Sequence, residues 1–142
     1  MKKKTKRTIK TKQIPFEFVL EQLSKLEPRV NRMFGCHAIY IGEKIVFILR
    51  ERNKPAEDDG IWLATTPVHH ASLALDFPSM RSISIFGPGT TGWQVLPSGD
   101  DDFETAALRA CELVLECDPR IGKIPKSRLR SKKAIPRPRR NQ

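Results

Sequence analysis

Ala38-Ile39-Tyr40-Ile41-Gly42-Glu43-Lys44-Ile45-Val46-Phe47-Ile48-Leu49 decides how this chain folds. Two runs of β-branched and aromatic residues flank a Gly-Glu-Lys turn, the pattern of a β-hairpin. The second run, Ile45–Leu49, has no polar residue to alternate with, so that strand should be buried on both faces. It is also the longest apolar run in the chain, far short of the roughly twenty residues of a membrane span.

Upstream of the hairpin the period changes. Phe16, Val19, Leu20, Leu23 and Leu26 recur at the spacing of one helical face, with Pro15 in the first turn and Pro28 as the stop. Downstream, Arg50–Gly60 is charged, contains Pro55 and reads as an exposed, solvated loop. Ile61–Thr65 reads as a third strand. Pro67–Phe77 returns to a helical period, with Val68, Ala71 and Leu75 expected to point inward and Pro78 to end it. Ser82–Phe86 and Trp93–Leu96 form a second expected hairpin around Gly87–Gly92. Asp101-Asp102-Phe103-Glu104 is an acidic analogue of the capping box. It should open a last helix whose buried stripe is Phe103, Ala106, Ala107, Ala110, Val114 and Cys117. The expected fold is a small single α+β domain, residues 14–119, in the order α-β-β-β-α-β-β-α, with an antiparallel sheet packed by helices.

Charge divides the chain in three. Its 142 residues carry a formal +10, yet every Asp and Glu lies between Glu17 and Asp118. Seven Lys or Arg precede Gln13 and ten lie in Arg120–Gln142, so the middle is near −7 and the ends together near +17. Segments this polar cannot bury enough apolar surface to offset backbone entropy, so 1–13 and 120–142 are expected to be disordered arms. Basic arms are what a polyanion meets first. The residues expected to make nonspecific nucleic-acid contacts are Lys2, Lys3, Lys4, Lys6, Arg7, Lys10 and Lys12, and then Lys126, Arg128, Arg130, Lys132, Lys133, Arg137, Arg139 and Arg140. Neither arm contains an aromatic residue on which a base could stack.

Few residues suggest chemistry. Cys36, His37, His69 and His70 are ligand types for zinc, but adjacent residues diverge on a strand or a helix, so no metal site is expected. Cys111 and Cys117 read as packing residues on the last helix, six apart and too far along its axis for a disulfide. Gly87–Gly92 joins strand to strand, unlike a phosphate loop, which opens a helix. Trp62 and Trp93 read as core. Asp100–Asp102 lack the further oxygens of a calcium loop. Spacing brings together no Ser–His–carboxylate or Cys–His set, so no enzyme and no cofactor are expected. The odd cysteine count and the absence of an apolar h-region after the first lysines place the chain in a reducing cytosol, away from membranes.

Arg32-Met33-Phe34-Gly35, followed by a Tyr40-containing strand, a tight turn and the apolar strand Ile45–Leu49, resembles the amino-terminal domain of the TfoX/Sxy family. The signature positions are Met33, Phe34, Gly35 and Tyr40, and the likeness covers residues 14–122. Named members are bacterial regulators of DNA-uptake competence that act with other transcription factors, and the family has no established catalytic residues. This chain departs from it by lacking the second, carboxy-terminal domain and by its basic arms. The resulting expectation is a non-enzymatic regulatory module that binds DNA or RNA through its arms and a protein partner through its core. The alternatives are a protein–protein adaptor with solubilising tails and, after it, a small-molecule-binding or catalytic domain.

Overall fold

The structure is a computed structural model and describes residues 14–54, 56–85 and 92–125. Its frame is one six-stranded sheet. The strands are β1 (Arg29–Met33), β2 (Cys36–Ile41), β3 (Lys44–Arg50), β4 (Gly60–Ala64), β5 (Arg81–Ser82) and β6 (Trp93–Pro97). They lie in the order β1-β2-β3-β4-β6-β5, and every neighbouring pair is antiparallel. Among the described residues three α-helices accompany them: α1 (Phe18–Gln22), α2 (His70–Asp76) and α3 (Phe103–Leu115). The α+β class and the expected order hold, with one strand added at the front. The sequence does not announce β1, because Arg29-Val30-Asn31-Arg32 has no apolar alternation. Its backbone is drawn into the ladder by β2, with Val30 opposite Ile39 and Met33 opposite Cys36.

The 38–49 hairpin forms as its sequence requires, with one irregularity. Ile39 faces Phe47 but Tyr40 faces Ile45, so Val46 is an extra residue in β3, a β-bulge. The bulge lets Val46 and Phe47 both join the helix side of the sheet, while Ile45 and Ile48 face the other side. Ile45–Arg50 is buried throughout. On the helix side Ile39, Phe47, Leu49, Ile61, Leu63 and Leu96 pack against Val19 and Leu23 of α1, Leu73 of α2 and the inner stripe of α3. The opposite side gathers Ala38, Tyr40, Ile48, Trp62, Ala64, Ile83 and Val95, and no residue of the three helices belongs to that cluster.

Several local expectations change. Phe16 sits at φ 53°, in the left-handed region, so the first helix is only α1, followed by a 3-10 turn at Ser24–Leu26. Val19 and Leu23 of the expected stripe are nonetheless fully buried. In α2 the inward residues are Leu73 and Phe77, four apart, whereas Val68 is 80% and Leu75 86% exposed. Apolar residues occupy two faces of this short helix, and the sheet selects the face with the larger side chain, Phe77. In α3 Asp102 is the N-cap residue but makes no side-chain cap bond. Its carboxylate instead accepts from the Ser79 hydroxyl at 3.3 Å.

The carboxy end of α3 also differs. Cys117 is exposed at φ 60°, beyond the last helical residue, and Cys111 takes the buried place expected for it. The Cys117 N–H donates to the Val114 carbonyl at 3.0 Å and the Asp118 N–H to Leu113 at 2.9 Å, the paired bonds of a Schellman cap. Residue 120 does not begin an unpacked arm either. The Arg120 guanidinium pairs with Asp76 and Asp118, Ile121 is 3% exposed, and Lys123 exchanges backbone bonds with Ile45.

The largest correction concerns Arg50–Gly60. Residues 51–54 and 56–57 are exposed as expected, but Arg50, Asp58 and Asp59 are 1%, 0% and 5% exposed and form a buried charge network. The Asp59 carboxylate accepts from Arg50 at 2.7 Å and from the Arg52 and Asn53 N–H groups at 2.9 Å each. Asp58 accepts from the Ser84 and Ile85 N–H groups at 3.0 and 2.8 Å, and from Arg81 at 3.3 Å. The Trp62 indole N–H donates to the Asp58 carbonyl at 2.8 Å. Gly60 follows at φ 140°, where an added Cβ would stand 2.1 Å from the Leu96 carbonyl oxygen, so only glycine fits. Asp58→Ala should cost about 3 kcal/mol, because two backbone N–H groups and a guanidinium lose the buried carboxylate that accepts from them. Urea unfolding of the full chain measures this, and a change within 0.5 kcal/mol would contradict the assignment.

Candidate functional site

The residues with functional potential converge at the β1–β2 turn. Met33 pairs with Cys36, leaving Phe34 and Gly35 as a two-residue connection at φ 56° and 72°. Two positive φ values in succession are the signature of a type I′ turn, whose favoured sequence is Asn-Gly. Gly35 suits its place, but a phenylalanine in the left-handed region is unfavourable by about 1 kcal/mol. Phe34 is 57% exposed.

A cleft of about 420 Å³ opens behind the turn, lined by Ile14, Pro15, Phe16 and Leu49 on its apolar side and by Gly35, Cys36, His37, Glu51 and Arg52 on its polar side. The Arg52 guanidinium donates to the Gly35 carbonyl at 3.1 Å, bracing the turn. The Cys36 thiol donates to the Phe34 carbonyl at 3.4 Å. Burial pushes the Cys36 thiol up, against the pull of Arg50 and Arg52, so it stays protonated at neutral pH. His37 is opposite Arg32 on β1 and Leu49 on β3. Its Nδ1 is buried with no hydrogen-bond partner among the described residues. Burial, with the Arg32 charge adding, holds the imidazole below its ordinary value.

A second cleft of about 440 Å³, between Ala56, Glu57, Ser79, Arg81 and Asp100, has most of its polar groups engaged. Arg81 is bound to the Asp58 carboxylate and the Glu57 carbonyl, and Ser79 to Asp102.

The sequence-derived candidates divide accordingly. The fifteen arm residues, Lys2 to Lys12 and Lys126 to Arg140, lie outside the described residues, as do Phe86–Thr91 of the second hairpin's loop. Of the signature residues, Met33 ends β1, Phe34 and Gly35 form the turn, and Tyr40 is buried in β2 with the Arg29 guanidinium 4.7 Å from its ring centre. Cys36 and His37 line the cleft, while His69 and His70 lie at the start of α2. Among the described residues no group of three or more His, Cys, Asp or Glu stands close enough to hold a metal ion. Cys111 is buried and its thiol is pushed up to about 12 by desolvation, which leaves it a packing residue. Sequence reasoning missed Glu51, Arg52 and the Arg50 network, whose only signal is a charged segment directly after a buried strand.

No protein-family model, curated protein or solved structure matches this chain. Among the described residues, no helix is long and apolar enough to cross a membrane.

Two outcomes follow from the turn and its neighbour. Phe34→Asn restores the favoured Asn-Gly pair and should raise stability by about 0.5–1 kcal/mol, read from the urea midpoint. For His37 the folded state holds the proton less well than the unfolded chain, so stability present above pH 6.5 is lost as pH falls toward 5. His37→Gln should flatten that decline, and an unchanged slope between pH 7.5 and 5.5 would contradict the desolvated imidazole.

Proposed function

We propose that this chain is a non-enzymatic regulatory module. Its basic ends contact DNA or RNA nonspecifically, and its folded centre docks a protein partner. The observation that carries the reading is the segregation of charge, near +17 at the ends against near −7 between them. The folded part adds a reason. Arg50, Arg81, Arg109 and Arg120 are each in ion pairs with Asp58, Asp59, Asp76, Glu112 or Asp118, so much of its positive charge is engaged internally. Phosphates would therefore be met mainly by the ends. The resemblance to TfoX/Sxy regulators suggests a setting in transcription or competence. A cytosolic location suits three cysteines that are all free.

The second reading is an adaptor with solubilising tails. It draws on Val68, in the 3-10 turn that leads into α2, and Leu75 of α2, which are 80% and 86% exposed.

The two readings part in a binding titration of labelled duplex DNA. With about eight phosphates engaged, log K should fall with log salt at a slope near −7. A full-length variant with the arm lysines and arginines changed to glutamine should lose at least a hundred-fold in affinity at low salt. Equal binding by the two proteins would leave the adaptor as the better account.

A further inference from the structure

We propose that the cleft behind the β1–β2 turn binds a free α-amino acid with an apolar side chain, its carboxylate on Arg52, its ammonium on Glu51 and its side chain against Ile14, Pro15 and Phe16. The folded centre thereby takes a ligand of its own, whatever the arms contact, so this inference stands apart from the nucleic-acid reading.

The charge of the lining decides the ligand class. Of the residues around this cleft of about 420 Å³, Glu51 is the acid and Arg52 the base. His37, held below its ordinary value by burial, is neutral at physiological pH. One carboxylate and one guanidinium leave no net charge, which suits neither a phosphate nor a polycation. They suit a molecule that carries one charge of each sign close together. Neither group is in an ion pair among the described residues. Arg52 donates one N–H to the Gly35 carbonyl at 3.1 Å, and its Nη1 lies 2.6 Å from where a Cβ on Gly35 would stand. A guanidinium anchored on one side in this way offers its remaining N–H groups as a fork to a carboxylate.

The apolar wall supplies a third point of contact. Ile14, Pro15 and Phe16 are each only partly buried and share the cleft with both charges. The Phe16 ring packs on Phe103 of α3 with ring centres 5.1 Å apart, so the long helix holds this wall in place. The volume falls among small-ligand sites, which span roughly 300–1,000 Å³ and combine apolar lining with a few placed polar groups. An anionic, a cationic and an apolar contact together distinguish an L-amino acid from its mirror image. The end of a peptide chain carries only one of the two charges and would leave the other unmatched.

The test is calorimetric titration of the full-length protein with L-leucine and with L-phenylalanine. At least one should bind more tightly than about 1 mM, and its D-enantiomer about five-fold more weakly. The N-acetyl derivative of that amino acid, which has no ammonium, and its amide, which has no carboxylate, should each bind about ten-fold more weakly. Glu51→Gln should weaken the amino acid about ten-fold yet leave the N-acetyl derivative within about two-fold, since that probe has nothing for Glu51 to hold. Arg52→Lys keeps the charge but loses the fork, and should weaken both carboxylate probes about five-fold. Glu51 and Arg52 are exposed, so both variants should keep the native thermal midpoint within about 2 °C. Binding of both amino acids weaker than about 1 mM, or affinity unchanged in either variant, overturns the proposal. Equal binding of the amino acid and its N-acetyl derivative overturns it as well, because the cleft would then read a carboxylate alone.

Discussion

Two buried carboxylates, Asp58 and Asp59, hold this fold in register. Asp59 gathers the end of β3 through Arg50 and the backbone of Arg52 and Asn53, while Asp58 binds the backbone that follows β5. One connection thus fixes the start of β4 and the return of the chain to the far edge of the sheet. Charges buried this deeply give little net stability, because desolvation offsets their attraction. Their effect is directional: any other path for residues 50–60 would leave an ionised group unpaired in the interior. Gly60 tightens the constraint by letting the Leu96 backbone approach where a side chain would collide.

With that end fixed, the sheet separates two tasks. Its helix side is filled by Val19, Leu23, Leu73, Phe77 and the inner stripe of α3, and supplies most of the apolar burial. The end carrying the β1–β2 turn is left open, and there the polar residues of the cleft collect. Phe34 and Phe16 both hold positive φ beside this cleft, at 56° and 53°. The departure of their backbone from regular structure is concentrated where the molecule has room for a ligand.

Where the sequence was legible, one strong period set the answer. The β2–β3 hairpin, the buried character of β3 and β4 and the long helix α3 follow from uninterrupted apolar patterns. Where two patterns competed, it was not. The α2 segment offers Val68-Ala71-Leu75 and Leu73-Phe77 on different faces, and only the position of the sheet selects the second. The polar strand β1 has no pattern of its own and exists because β2 presents an open edge. Of the cleft, Cys36 and His37 were visible as residue types, but Glu51 and Arg52 were not, since nothing local places a charged segment beside a turn seventeen residues earlier.

The amino-acid sequence alone determined the charge layout, the α+β class and the hairpin at its centre, because net charge and hydrophobic period are local sums over neighbouring residues. The tertiary structure alone decided that Arg50, Asp58 and Asp59 are buried, that Arg120–Lys123 pack as part of the domain, and that Gly35, Arg52 and His37 line one cleft. Such partnerships join residues distant along the chain, and burial of a charge depends on which partner the fold brings to it.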